Sequence, residues 1–91
     1  MREFYYKVND NSMSGDRIFF NDEVLIRETT DVSINDICAI ANEVDISKLD
    51  LRRIEERDGE FLLTASNSEV KPEIRSSILL VGKIIMTYKN T

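Results

Sequence analysis

Ser47-Lys48-Leu49-Asp50-Leu51-Arg52-Arg53-Ile54-Glu55-Glu56-Arg57-Asp58-Gly59-Glu60-Phe61-Leu62-Leu63-Thr64 is the stretch that decides the fold. Asp58-Gly59 is the strongest local signal in the chain, because an Asp-Gly pair accepts the positive φ angles of a tight hairpin turn. The residues before it alternate. Lys48, Asp50, Arg52 and Ile54 share one face, and Leu49, Leu51 and Arg53 the other. Phe61 to Thr64 returns as the partner strand. A strand over 47–56, a tight turn and a returning strand therefore form one antiparallel hairpin.

Working outward, the remaining segments also read as short strands. Phe4 to Val8 is aromatic and then β-branched, which suits a pleated surface. Asn9 to Gly15 crowds Asn, Asp, Ser and Gly into a loop, within which Ser12-Met13-Ser14 is expected to open a short helical turn with Ser as N-cap. Glu23 to Arg27 is a strand bounded by charges. Ile37 to Ala41 is a short apolar run and so a buried strand. Ala65 to Pro72 is a polar loop. Ser77 to Met86 is a long β-branched segment in which Gly82 marks a bulge or bend. Many short strands with no long stretch of 3.6-residue period predict an all-β, small, highly twisted, barrel-like domain.

Ninety-one residues make a single domain, 1–91, of which 42% is hydrophobic. Net charge is −5, from 12 basic and 17 acidic residues. That argues against a direct grip on nucleic acid, which needs Lys and Arg in excess on one face. The chain has one cysteine and no histidine. An internal disulfide, the usual zinc sites, and Ser-His-Asp or Cys-His catalysis are thereby excluded within this sequence. Cys38, inside an apolar run, reads as a buried small hydrophobe. Neither cofactor nor metal is expected. Nothing is apolar for long enough to span a bilayer, and Met-Arg-Glu is no signal peptide, so a cytoplasmic protein without membrane contact is expected.

Ser12-Met13 follows the first strand; the order of what comes after it carries a resemblance. Asp22 stands where a D-G-D turn would end, with Phe20 and Asn21 in place of its first two residues. Asp31-Val32 precedes the next strand. Arg52-Arg53-Ile54 lies in the hairpin, Asn67-Ser68-Glu69-Val70-Lys71-Pro72 in the polar loop, and Val81-Gly82-Lys83-Ile84-Ile85 in the final strand. Across roughly residues 8 to 88 this order resembles the C-terminal domain of LexA and the lambda-type phage repressors, a family of Ser/Lys autopeptidases.

The resemblance implies a serine nucleophile at Ser12 and places Arg52 where the family has its general-base lysine. A serine hydroxyl needs a base within hydrogen-bond reach, and a lysine serves once burial lowers its pKa. An arginine side chain keeps its proton at any ordinary protein pH and cannot serve. Lys48, on the same predicted face as Arg52 but about 13 Å along it, is the base under a different register. In the family the cut bond, an Ala-Gly or Cys-Gly pair, lies in a linker upstream of the serine. No such pair precedes Ser12, and neither a cleavage linker nor a DNA-binding head is expected within 1–91.

Three functional classes follow. The first is a dimerisation and regulatory domain of a LexA- or phage-repressor-like regulator of the SOS type, inactive as a peptidase. It would reach DNA only through an absent N-terminal domain, dimerise through Ile84-Ile85-Met86-Thr87-Tyr88, and answer to a RecA-like co-protease or an antirepressor. The second is an active self-cleaving domain using Lys48, or a lysine restored at position 52. The third is an unrelated β-barrel binding module.

Overall fold

A computed structural model describes residues 2–90. Seven strands are present: β1 (Glu3–Lys7), β2 (Glu23–Glu28), β3 (Cys38–Ala41), β4 (Leu49–Arg57), β5 (Glu60–Thr64), β6 (Glu73–Arg75) and β7 (Leu80–Tyr88). They form one sheet in the order β1-β2-β7-β3-β4-β5-β6, with every pairing antiparallel. The all-β expectation holds.

The β4–β5 hairpin is built as its sequence requires. Arg57 pairs with Glu60 across a two-residue turn in which Asp58 and Gly59 both have positive φ, 52° and 80°. This matches the right-handed twist of the flanking strands. The alternation in β4 sorts its faces. Leu51 joins the core formed by Val8, Met13, Ile18, Val24, Ile26 and Ala39. Arg52, one residue on, lies across from buried Cys38, which itself pairs with Lys83 of β7.

The sheet curls on itself. The Tyr6 hydroxyl on edge strand β1 donates to the Leu49 carbonyl (3.4 Å) and accepts from the Leu49 N–H (3.1 Å) at the start of β4. In sheet order three strands separate these two, so both must bend round the core to meet. Gly82 enables part of this bend. A Cβ there would run into the Arg27 carbonyl of β2. The register shifts on either side of it, between Leu25 and Ile26 and between Ala39 and Ile40. Each shift leaves one β7 residue, Ile85 or Val81, without an opposite number, which raises local twist.

Strand ends differ from expectation by one to three residues, which is where hydrogen-bonded ladders are least determined by side-chain pattern. Two differences matter more. The β6 strand, three residues after Pro72, was not foreseen; it exists because β5 offers a free edge to Glu73–Arg75. The helical turn falls at Ser14–Asp16 as a 3-10 turn after Met13, with no side-chain cap, rather than opening on Ser12.

Candidate functional site: the Ser12 corner

Ser12 follows β1 on a turn docked against the loop after β5. Its N–H donates to Asp10 Oδ1 (3.0 Å), and its carbonyl accepts from the Asn67 N–H (3.0 Å). Asn67 Nδ2 donates to the Asn11 carbonyl (3.0 Å), and Asn67 Oδ1 accepts from the Glu69 N–H (2.9 Å). One asparagine thus clamps both sides of the serine turn and shapes its own loop. The Asp16 N–H donates to Ser66 Oγ (3.1 Å), and a side chain at Gly15 would collide with the Ser66 carbonyl. Residues 65–67 are therefore the platform on which the serine rests.

The Ser12 hydroxyl is buried and has no hydrogen-bond partner among the described residues. A buried hydroxyl left unpaired costs about 1–3 kcal/mol, so this geometry is held by the surrounding backbone bonds rather than by the hydroxyl. Arg52 stands on β4. Continuing the β4–β5 register one step beyond Arg53↔Thr64 puts Ala65 opposite Arg52, two residues from Asn67. Arg52 and Ser12 share no hydrogen bond, and alternation turns Arg52 to the face of β4 opposite Leu51 and Arg53, which are the residues directed at the serine turn and its core. The Arg52 guanidinium donates instead to the Leu51 carbonyl (2.8 Å) and lies within electrostatic range of Glu73, whose carboxyl it helps hold below the usual range after the larger effect of Arg75.

Lys48 lies outside β4, in the β3–β4 loop. Its N–H donates to the Asp45 carbonyl and its carbonyl accepts from the Asn42 N–H. It shares no hydrogen bond with Ser12.

The sequence pointed to Arg52, but the side chain that grips the serine turn is the next one. Arg53 forms a two-pronged ion pair with Asp16, at 2.7 and 2.9 Å, and its Nε donates to the Asn35 carbonyl (3.4 Å). The guanidinium holds the Asp16 carboxyl below its ordinary range, outweighing the opposing effect of burial. The signal was present: alternation puts Arg53 on the inner face with Leu51, toward the turn. What the sequence lacked was the partner, since nothing in Ser14-Gly15-Asp16 identifies Asp16 as facing β4.

A family model, Peptidase S24-like, matches residues 2–85. The chain belongs to the Peptidase S24-like family. No curated protein sequence matches it. The resemblance to the LexA and phage-repressor C-terminal domains is borne out at that level, and the Arg53–Asp16 pair ties the serine turn to β4. Among the described residues, no three His, Cys, Asp or Glu side chains gather as metal ligands. Among the described residues no helix is long and apolar enough to cross a membrane. Cys38 is buried, and desolvation pushes its thiol up to about 11. It is an inert core residue.

Proposed function

We propose that this S24-like domain is the dimerisation and regulatory part of a LexA- or phage-repressor-like transcription regulator, and that its peptidase-type site does not cut. The observation that carries the reading is the Ser12 hydroxyl, which is buried and has no hydrogen-bond partner among the described residues. The side chain at the family's lysine position is Arg52, which is committed to a backbone carbonyl and cannot accept a proton. Burial also denies the hydroxyl to a substrate. DNA would be reached through a separate head, and the −5 charge of this domain fits that division.

The dimer face is supported by the exposed side of β1, β2 and β7. Tyr5, Leu25 and Met86 are opposite one another across three strands. Tyr88 packs edge-on against Tyr5 with ring centroids 5.8 Å apart. Tyr5 is 59% and Met86 51% exposed. Ile84, also in the expected interface, packs on the core instead. Ile85, at the register shift, is half-buried, and Met86 and Tyr88 are the exposed apolar residues of β7 available to a partner. An aromatic-rich patch of this kind suits a two-fold interface in which the same strand serves both subunits.

Two measurements test the reading. Sedimentation should give a dimer at micromolar concentration that Met86→Lys converts to monomer; a monomeric native protein removes the dimerisation claim. A fluorophosphonate reagent should leave Ser12 unlabelled in the native protein; stoichiometric labelling removes the inactive-site claim. The second reading, an active Ser/Lys peptidase, requires Lys48 to leave its loop or a lysine to stand at position 52.

A further inference from the structure

Val44 and Ile46 are the two most exposed large apolar side chains among the described residues, at 96% and 95%. They stand in the loop between β3 and β4, and that loop is well tied. Asn42 Oδ1 accepts from the N–H groups of Val44 (2.9 Å) and Asp45 (2.8 Å), and Asp45 Oδ1 accepts from the N–H (3.0 Å) and hydroxyl (2.6 Å) of Ser47. The Asn42 N–H donates to the Lys48 carbonyl across the loop base (3.3 Å). The aliphatic side chains are thus held out in water by an ordered backbone. Leu79, also exposed, lies on the adjoining segment, where its carbonyl accepts from the Ala41 N–H (3.0 Å). Between loop and segment opens a groove of about 420 Å³, walled by Ala41, Ile46, Ile78 and Leu79, with Glu43 and Arg75 completing its lining. Scattered exposed aliphatics are ordinary, but two that flank one groove, with a third on the same loop, mark an interaction surface.

We propose that this groove docks a basic, aliphatic-faced element of a partner protein, with an aliphatic side chain between Ile46 and Leu79 and a lysine or arginine on Glu43. Charge selects the partner. Arg75 faces three carboxylates, Glu73 at 2.8 Å, Asp50 at 3.5 Å and Glu43 at 3.7 Å, so the group is formally negative. Arg52 acts on Glu73 and Lys48 on Asp45, which leaves Glu43 as the carboxylate of the groove with least compensation. It stands beyond hydrogen-bond reach of Arg75 Nη1, a buried nitrogen without a hydrogen-bond partner among the described residues. Glu43 is exposed, so it can turn toward a second cation without breaking a hydrogen bond to Arg75. Phosphate groups and acidic headgroups would meet repulsion here, which disfavours nucleic acid and anionic membranes as occupants. The groove is also distinct from the proposed dimer face. Leu79 precedes the first residue of β7, whereas Tyr88 ends it, roughly 26 Å away at strand rise. One protomer has room for a second copy at one end of β7 and this partner at the other.

The test uses the folded chain and an amphipathic helical peptide of repeated Leu-Lys-Lys-Leu, which places its leucines on one face, against a Leu-Glu-Glu-Leu peptide of equal length. Binding is followed by amide chemical-shift titration. The lysine peptide should give saturable shifts at Val44, Ile46, Glu43 and Leu79, and the glutamate peptide none there. Ile46→Ser, at a side chain that packs on nothing, should weaken binding about tenfold or more, the worth of burying one aliphatic side chain. Glu43→Gln should weaken it about two- to fivefold, the range of an exposed ion pair. Equal binding of the two peptides, an unchanged affinity in Ile46→Ser, shifts confined to another surface, or no saturation at millimolar peptide would each overturn the proposal. Shifts at Val44, Ile46 and Leu79 on concentrating the protein alone would also overturn it, because the occupant would then be a second copy. Met86→Lys, which tests the dimer, should leave peptide binding unchanged, so the two claims stand or fall separately.

Discussion

Breaking the Asp16–Arg53 pair should loosen the serine turn by an amount that can be bounded in advance. The pair is two-pronged, with side chains 27% and 33% exposed. Solvent therefore screens it in part, and the surface-pair range of about 0.2–1 kcal/mol must be set against the greater strength of a forked, charge-assisted contact. A coupling energy of about 1 kcal/mol is expected from a double-mutant cycle with Asp16→Ala, Arg53→Ala and the double variant. In a domain of this size each single variant should then lower Tm by roughly 4–8 °C, as followed by circular dichroism. The pH dependence has a definite sign. The folded-state pKa of Asp16 is lowered, so its contribution is complete above the unfolded aspartate value of about 3.9 and disappears as pH falls through the folded value. The coupling should accordingly be present at pH 7 and absent in strong acid. A coupling indistinguishable from zero at pH 7, or one unchanged in acid, would refute the ion pair as the link between the turn and β4.

Other perturbations have equally definite outcomes. Gly82→Ala pushes a methyl group into the Arg27 carbonyl and should cost about 2 kcal/mol, seen as an earlier urea midpoint; an unchanged midpoint would mean that β2 and β7 are not in this register. Asp22 accepts bonds from Lys89, Phe19 and Asn90, which bring its pKa from 3.8 to about 2, with the Lys89 bond the largest cause. Its stabilisation is present above 3.8 and lost as pH falls toward 2, so Asp22→Asn should flatten the acid limb of the stability curve in that window. Cys38 should resist a thiol-disulfide reagent at pH 8 in the folded protein and react fully once denatured; fast reaction of the native protein would contradict its burial.

The hairpin was legible because Asp58-Gly59 and the Leu49–Leu51 alternation specify one local geometry with no distant partner. The Ser12 corner was legible only as a likeness of ordered motifs. Its assembly depends on Asn67, Ser66 and Arg53, each more than 35 positions from the group it holds, and no local pattern encodes such pairings. The β6 strand is not legible in the sequence for a related reason. Three residues carry no periodicity, and Glu73–Arg75 becomes a strand because β5 supplies an unpaired edge. The exposed apolar end of β7 had a clearer signal, since Met86 and Tyr88 extend the β7 alternation beyond what the core covers. Which of the β7 residues faced outward depended on the Ile85 bulge, which composition does not reveal.

Whether Arg52 leaves the serine site without a base is decided by joining a linker that carries an Ala-Gly bond upstream of this domain and incubating it at alkaline pH, with mass spectrometry as the readout. The native chain should remain intact, and Arg52→Lys should cut at that bond in a reaction abolished by Ser12→Ala. Ser12-dependent cutting by the native chain would show that the site has a working base despite Arg52.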